Sequence, residues 1–201
     1  MYSKILSEIA MIGGVVSRVK KPYNVEGSEY VEVISIIQDA ISHIDSPIPS
    51  LPRHLSHLSG AQLQNGNLVI CGGRKRFGDN YTDSRAMYTQ LSDEYLHYQV
   101  GSNQWTKVGT MKRNRAYHSS VLLDGCLITT GGSTHPSTPS LKTLSNLEIF
   151  SRHREVLEMK EMPVALTSHT ATIFGKNKIL VCAGGVSNKV DRQVSEHKFF
   201  I

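Results

Sequence analysis

The amino-acid sequence predicts an all-β protein made of four repeated units, and two features carry this prediction. The first is an apolar run that stops at two glycines, found four times as IAMIGG, LVICGG, LITTGG and LVCAGG. The first glycines stand at positions 13, 72, 131 and 184, so the steps are 59, 59 and 53 residues. The second is turn chemistry: Asn65-Gly66 and Asp124-Gly125 each separate two apolar runs, as in a β-hairpin with a type I′ turn. A glycine motif recurring every roughly 50 residues indicates a repeat architecture.

The composition is that of a folded globular chain. Of the 201 residues, 39% are hydrophobic and 19% are charged, which excludes an intrinsically disordered protein. The formal net charge of +5 makes the surface mildly basic and favours acidic partners. No apolar run reaches the roughly 20 residues that a membrane-spanning helix needs, so no membrane partner is expected.

The three cysteines, Cys71, Cys126 and Cys182, are odd in number, lie far apart and fall within predicted strands. They are expected to be reduced thiols packed as small hydrophobic side chains, which favours a cytoplasmic protein. The apolar stretch that ends at Val16 is similar to a signal peptide. Glu8 interrupts that stretch, which also matches the repeated strand motif, so we interpret it as part of the fold.

The first unit, residues 1–47, is expected to hold three strands. Its first strand ends at Gly13-Gly14, and its second covers Tyr30–Ile34, where β-branched residues alternate with others. A basic linker joins these two strands. Residues 37–44 fit either one amphipathic helical turn or a third strand near Ile41, and the repeat favours the strand.

The second and third units, residues 48–110 and 111–161, follow one plan of four strands each. A proline-rich crossing at residues 46–52 leads into the second unit, since proline is excluded from central strands. The predicted strands cover residues 59–63, 68–71, 95–98, 104–108, 119–123, 126–130, 147–150 and a fourth strand near Leu157. The only tryptophan, Trp105, lies seven residues after Tyr98. Leu157 and Ile41 are assigned to the same position because each follows its own preceding strand by seven residues.

The fourth unit, residues 162–201, is expected to end after three strands. These strands cover residues 170–174, 179–183 and 194–200, with a turn at Gly175-Lys176-Asn177. The units are therefore predicted to contain three, four, four and three strands. Short strands at even spacing with turn residues between them are typical of all-β architectures that repeat around a centre.

Further repeated positions appear when the units are aligned on their glycines. Arg115-Ala116-Tyr117-His118 precedes the first strand of the third unit, and His57 and His169 are assigned to the position of His118. Glu32 and Glu148 each stand near the start of a strand that follows the glycine pair. Together with Trp105, these positions resemble the kelch repeat over nearly the whole chain. The sequence departs from that pattern at Leu166, which stands where the third unit has Arg115.

The resemblance implies a kelch-type β-propeller, in which each unit is one antiparallel blade. Residues 1–201 would form a single propeller region with blades at about 1–47, 48–110, 111–161 and 162–201. The first and last blades would be incomplete, and three strands plus three do not merge into one four-stranded blade. We therefore expect part of a larger propeller, completed by further sequence or by another chain. The residues assigned to the structural repeat are Gly13, Gly14, Gly72, Gly73, Gly131, Gly132, Gly184, Gly185, His118, His169 and Trp105.

The glycine pairs are expected to turn the backbone with positive φ and to let neighbouring blades approach closely. The apolar second strand of each unit is expected to lie near the propeller axis, buried on both faces. A valine at Gly131 should therefore be more damaging than its added surface suggests.

The topology predicts a basic face. In an up-and-down blade, the loop after the glycine pair and the loop that leads to the next blade leave on the same side. Arg18, Lys20 and Lys21 fall in such loops, and the residues assigned to partner binding are Arg74, Lys75, Arg76, Phe77, Tyr81, Arg85, Lys112 and Arg113. Arginines and aromatic residues are the usual anchors of protein interfaces. The sequence therefore predicts a surface for an acidic protein or peptide.

The expected function is a non-enzymatic interaction module without metal or cofactor. Within the kelch family this implies substrate recognition in a cullin ubiquitin ligase adaptor, or binding to actin and the cytoskeleton. A nucleic-acid partner is not expected, since aromatic residues are not interleaved regularly with the basic ones. The competing class is an oxidase-like enzyme on the same scaffold. No metal-binding spacing such as Cys-x-x-Cys and no nucleophile elbow supports it.

Overall fold

A computed structural model describes residues 7–12, 15–17, 25–27, 31–37, 40–44, 48–75, 91–134, 142–158, 161–186 and 198–200. All regular elements in these ranges are β-strands, and they pair in antiparallel sheets. The prediction of an all-β protein is confirmed.

The first unit contains one three-stranded sheet and a short hairpin. Its strands are β1 (Ser7–Ile12), β2 (Val15–Ser17), β3 (Val25–Gly27), β4 (Val31–Ile37) and β5 (Ala40–Ile44). Sheet 1 has the order β1-β4-β5, so the strand predicted near Ile41 is correct and the helical alternative is wrong. The β2–β3 hairpin lies within the predicted linker, where Val15-Val16 gives a β-branched pair directly after the glycines.

The second unit contains a complete four-stranded sheet. Its strands are β6 (Leu55–Ser56), β7 (Ser59–Gln62), β8 (Leu68–Cys71), β9 (Arg74–Lys75), β10 (Glu94–Tyr98) and β11 (Trp105–Thr110). Sheet 2 has the order β11-β10-β8-β7, and β6 pairs separately with β9. At Asn65-Gly66 only the glycine has positive φ, and the turn is closed by hydrogen bonds between Leu63 and both Gly66 and Asn67. This is a three-residue loop and not the expected type I′ turn.

The third unit repeats this order, and the fourth unit has three described strands. The strands are β12 (Ser119–Leu123), β13 (Cys126–Thr130), β14 (Ser133–Thr134), β15 (Lys142–Thr143), β16 (Leu147–Phe150), β17 (Val156–Glu158), β18 (Thr170–Ile173), β19 (Ile179–Cys182) and β20 (Lys198–Phe200). Sheet 3 has the order β12-β13-β16-β17, and sheet 4 has the order β18-β19-β20. Asp124 and Gly125 both have positive φ, as a type I′ turn requires.

Consecutive sheets pack face to face, with one apolar cluster at each junction. The first cluster joins Ile12 of sheet 1 to Ile70 and Leu96 of sheet 2. The next joins sheets 2 and 3, and the last joins sheets 3 and 4. Neighbouring residues of one second strand belong to different clusters, Val69 to the second and Ile70 to the first. Burial on both faces explains why these strands are continuously apolar and do not alternate.

The edge at which sheets 2, 3 and 4 meet is formed by their first strands, and the apolar second strands lie directly beside them. Strand β12 contacts both β7 and β18, whereas β8, β13 and β19 each lie one strand away from this edge. The contact is polar in part, because the Ala171 backbone N–H donates to the Ser119 hydroxyl over 3.0 Å. Small residues at the start of these strands permit the close approach.

Trp105 anchors the outer strand of sheet 2. Its indole Nε1–H donates to the carbonyl of Pro49 over 2.9 Å, and its ring centroid is 5.6 Å from that of Tyr98. Trp105 pairs with Tyr98, whereas Phe150 in sheet 3 pairs with Val156. The assignment of Leu157 to the tryptophan position is therefore wrong by one residue, because the turn before it is one residue shorter. In sheet 1 the pairing partner of Ile34 is His43, so the assignment of Ile41 is wrong as well.

Candidate functional site

The candidate site lies at one end of the sheets, which we call the glycine end and define as residues 72–75, 91–94, 111–118, 131–134 and 142–146. Here the loop after β8 meets the linker that leads to β12. The Gly73 N–H donates to the Arg115 carbonyl over 2.8 Å, and the Ser92 N–H donates to the Gly73 carbonyl over 2.7 Å. The two kinds of loop thus lie on the same side, as the topology predicts. The opposite end, the turn end, comprises residues 63–67, 99–104, 124–125, 151–155 and 174–178.

A chain of main-chain hydrogen bonds connects the units at the glycine end. His57, Tyr117 and Ser168 have φ values of 54°, 57° and 55°, which lie in the left-handed region. The Tyr117 N–H donates to the His57 carbonyl over 3.0 Å, and the Ser168 N–H donates to the Tyr117 carbonyl over 2.8 Å. These three residues are therefore equivalent.

This equivalence corrects the assignment of His57. The residue equivalent to His118 and His169 is Leu58, one position further on, since Leu58 stands against Gly73 as His118 does against Gly132. The sequence alignment therefore placed the equivalent position one residue too early, at His57.

The glycine pair of the fourth unit is also displaced by one residue. Gly72 and Gly73 have φ values of 63° and 95°, and Gly131 and Gly132 have 55° and 91°. The matching values in the fourth unit, 59° and 96°, belong to Ala183 and Gly184. Gly185 therefore matches Arg74 and Ser133, and the assumed equivalence of Gly184-Gly185 with the other pairs is wrong.

Gly72 and Gly131, the first glycines of the second and third pairs, each accommodate a histidine from the next unit. A Cβ atom at Gly131 would stand 2.9 Å from Cε1 of His169 and 2.5 Å from the Leu166 carbonyl oxygen. A Cβ atom at Gly72 would meet the ring of His118 in the same way. The two imidazoles are buried, and each contacts the last residue of the preceding apolar strand: His169 Nε2 lies 2.7 Å from the Thr130 hydroxyl, and His118 Nε2 lies 3.5 Å from the Cys71 sulfur.

Burial keeps both histidines neutral. Desolvation, with Arg115 nearby, lowers the pKa of His118 to about 3, and desolvation lowers the pKa of His169 to about 4. In the unfolded chain both groups have a pKa of about 6.5. Between these values the unfolded chain binds protons that the folded chain does not, so stability falls as the pH decreases below about 6.5.

We therefore expect acidification from pH 7.5 to pH 5 to remove roughly 2 kcal/mol of unfolding free energy for each of the two histidines. Urea unfolding at several pH values measures this loss. In His169→Gln one titrating group is absent, and the loss between the same pH values should shrink by about 2 kcal/mol. An unchanged pH dependence in this variant would contradict the assignment.

Glu148 fixes the basic linker between sheets 2 and 3. Its carboxylate accepts hydrogen bonds from the backbone N–H groups of Lys112, over 2.8 Å, and Arg113, over 3.1 Å. It also forms an ion pair with Arg115, and both side chains are fully buried. The Arg115 guanidinium donates further to the Gly131 carbonyl over 2.8 Å. One buried carboxylate thus holds two consecutive amides whose side chains, Lys112 and Arg113, are exposed.

Arg74 and Tyr117 form a second contact between the loops. Arg74 Nη1 donates to the Tyr117 hydroxyl over 2.9 Å, and the Tyr117 ring lies against His57 with centroids 4.2 Å apart. Burial, followed by the charge of Arg74, lowers the pKa of His57. Tyr117 had no predicted role, although its place between Arg115 and His118 put it in the repeated motif.

The structure describes half of the residues assigned to partner binding. Arg74 and Lys75 are half-buried, and Lys112 and Arg113 are exposed, all at the glycine end. The other four assigned residues lie outside the described residues: Arg76, Phe77, Tyr81 and Arg85. The same is true of Gly13 and Gly14 and of the basic residues of the first linker, Arg18, Lys20 and Lys21.

The buried polar groups between sheets 2 and 3 include a thiol beside an imidazole. Cys71 is fully buried, and desolvation raises its pKa, so the thiol stays protonated beside a neutral His118. All three cysteines are free thiols. Within the described residues no group of three or more His, Cys, Asp or Glu side chains is placed to hold a metal ion. Nor does this part of the chain contain a helix long and apolar enough to cross a membrane.

Neither the known protein-family models nor the curated proteins include a match to this chain.

Proposed function

We propose that the protein is a kelch-type β-propeller region that acts as a non-enzymatic interaction module and binds an acidic protein or peptide at the glycine end. Four antiparallel sheets of three, four, four and three described strands support the propeller, as do the contacts of β12 with β7 and with β18. The main-chain bonds from His57 to Tyr117 and from Tyr117 to Ser168 support a repeat around one centre. We place this module in the cytoplasm, where its free thiols would stay reduced.

The observation that carries the proposal is the anchored basic linker. Lys112 and Arg113 are exposed, but their backbone amides are held by the buried Glu148 carboxylate. A fixed backbone lowers the entropy lost when a partner orders these side chains. Arg74 and Lys75 lie at the same end, so four basic residues contribute positive charge there, beside the acidic Asp93 and Glu94.

Acidic residues at this end are partly engaged within the protein. The carboxylate of Glu94 is within ion-pair distance of Arg53 and Lys107, and Glu161 accepts a hydrogen bond from Ser145 over 2.9 Å. Glu148 is fully buried with Arg115. Lys112 and Arg113 contribute two exposed positive charges at this end.

The proposed propeller requires a further sheet beyond sheet 4. At Gly72 and Gly131 the face of the sheet that is turned toward the next unit is covered by a histidine of that unit. Ala183, at the equivalent position of sheet 4, is exposed. Ile173 on β18 is 45% exposed as well. We propose that another sheet of the same kind, from further sequence or from another chain, covers this face.

We expect the double variant Lys112→Glu/Arg113→Glu to bind a fluorescein-labelled octaglutamate peptide at least about tenfold more weakly than the unmodified protein. Fluorescence anisotropy at low ionic strength measures this affinity, and added salt should weaken it.

The matched control is Lys176→Glu/Lys178→Glu, which changes the net charge equally at the turn end, where both lysines are exposed. It should weaken binding by no more than about threefold, since only long-range attraction is lost. Equal losses in the two variants would show that the peptide follows net charge alone and would refute the glycine end as the binding surface.

A further inference from the structure

A cleft of about 380 Å³ opens between sheets 2 and 3 at the turn end, opposite the proposed partner surface. Its apolar lining, which we call the floor, consists of Leu63, Val69, Val108, Leu127 and Phe150. Its wall is polar, with the side chains of Asn67, His97, Gln99, Ser151, Arg152 and Arg154. An apolar floor of this volume with a few convergent polar groups is typical of small-ligand sites.

Arg152 is held over the cleft although it is exposed. Its Nε–H donates to the Asp124 carbonyl over 2.7 Å, which links the turn after β16 to the turn after β12. A Cβ atom at Gly125 would stand 2.4 Å from Arg152 Nε, so only glycine permits this position of the guanidinium. The side chain is thus placed by two turns of sheet 3.

Arg154 occupies a strained backbone position beside the same cleft. Its φ is 63°, in the left-handed region that an arginine seldom adopts. The turn around it is closed by two hydrogen bonds, from Arg154 N–H to the Ser151 carbonyl and from Glu155 N–H to the Ser151 hydroxyl. Glycine would suit this backbone position better than arginine, so the backbone alone does not account for an arginine here.

Arg152 and Arg154 are the charged residues among those that line the cleft. None of the residues that line it is a carboxylate; Asp124 and Glu155 flank it and are exposed to solvent. Burial, together with the charge of Arg154, lowers the pKa of His97, so this histidine is a neutral hydrogen-bonding group at pH 7. Two guanidinium groups above an apolar floor match an anionic head on an apolar body.

We propose that this cleft binds a carboxylate carried on a short apolar chain, with Arg152 and Arg154 at the carboxylate and the floor against the chain. The planar guanidinium matches a carboxylate with paired hydrogen bonds, which a neutral amide does not reproduce. A free organic acid and the carboxyl terminus of a peptide share this chemistry. The site is separate from the proposed partner surface and stands whether or not that proposal holds.

Isothermal titration of the whole chain with 4-phenylbutyrate tests the proposal, with 4-phenylbutyramide as the neutral probe. The acid is expected to bind in the millimolar range or tighter, and the amide at least about tenfold more weakly. Acetyl-Ala-Leu with a free carboxyl terminus is the second arm, and tighter binding of this dipeptide would identify a peptide terminus as the ligand.

Arg154→Gly is the decisive variant, because it relieves the strained backbone and removes the guanidinium. It should be at least as resistant to urea as the unmodified protein and should bind the acid at least about tenfold more weakly. Arg152→Gln should weaken binding similarly, and Lys178→Gln should leave it unchanged. Equal affinity for the acid and the amide, tighter binding of phenyl phosphate, undiminished binding by Arg154→Gly, or no saturable binding below about 10 mM would each overturn the assignment.

Discussion

Replacing Glu148 with alanine is expected to lower the free energy of unfolding by about 3–5 kcal/mol. The substitution leaves the Arg115 guanidinium fully buried without its counter-charge. It also removes the acceptor of the Lys112 and Arg113 backbone N–H groups. Leaving a buried charge without its partner costs more free energy than the intact pair contributes to stability. The loss of unfolding free energy should therefore greatly exceed the loss caused by breaking a surface ion pair. Urea unfolding followed by tryptophan fluorescence of Trp105 measures it.

The second unit of the same chain supplies the control. Leu55 and Leu96 occupy the positions of Arg115 and Glu148, and both belong to a buried apolar cluster. Arg115→Leu/Glu148→Leu should therefore recover at least about half of the stability lost in Glu148→Ala, because it removes both charges together. A double variant less stable than Glu148→Ala would show that the network around the pair, and not its charge balance, determines the cost.

Gly131→Val is expected to destabilise the fold by roughly 4 kcal/mol or more. Valine is β-branched and strongly disfavours the φ of 55° at this position. Its Cβ would also stand 2.5 Å from the Leu166 carbonyl oxygen and 2.9 Å from the His169 ring, so sheets 3 and 4 would have to separate. The loss should appear in urea unfolding.

The comparison variant is Gly175→Val, whose φ of 70° is similar but which has no neighbouring atom within 4 Å of the added Cβ. It should cost only the conformational strain, about 1–2 kcal/mol. Similar losses in the two variants would mean that backbone strain alone requires glycine. The chain already carries a side chain at the equivalent Ala183, where φ is 59° and the residue is exposed.

The long strands were predictable because their signals are strong. Apolar runs buried on both faces, and turn pairs such as Asp124-Gly125, place the main strands within a residue or two. The short pairs β6–β9 and β14–β15 were missed, since two-residue strands carry no periodicity and form only where neighbouring loops meet. The β2–β3 hairpin was missed because the basic residues after Val16 favoured a linker.

Which residues of the different units occupy equivalent positions was not predictable from the sequence. The sequence Ala183-Gly184-Gly185 contains a glycine pair, but the two positive φ values that match those of the other pairs belong to Ala183 and Gly184. The φ values depend on the contacts with the neighbouring sheet and not on the residue type alone. Trp105 and Val156 are equivalent, but Trp105 follows its pairing partner Tyr98 by seven residues and Val156 follows Phe150 by six. The turn between β16 and β17 is one residue shorter than the turn between β10 and β11.

The end of the sheets at which the candidate residues lie was predictable from the sequence, but the contacts that hold them there were not. Strand topology alone placed Arg74 and Lys112 at one end of the sheets. The anchoring of the linker by Glu148 depends on a side chain 35 or 36 residues away and has no local signal. Arg152 and Arg154 were overlooked because a hairpin turn with two arginines looks like an ordinary solvated loop.

The bonds that run from His57 to Tyr117 and on to Ser168 use only main-chain atoms, and the three side chains have nothing in common. Substitutions at these positions therefore leave the donors and acceptors in place, provided that the new residue tolerates the left-handed region. Over evolutionary time the units are free to diverge in sequence while the distance and orientation between adjacent sheets are maintained. A repeat joined in this way keeps its geometry long after its residues have ceased to resemble one another.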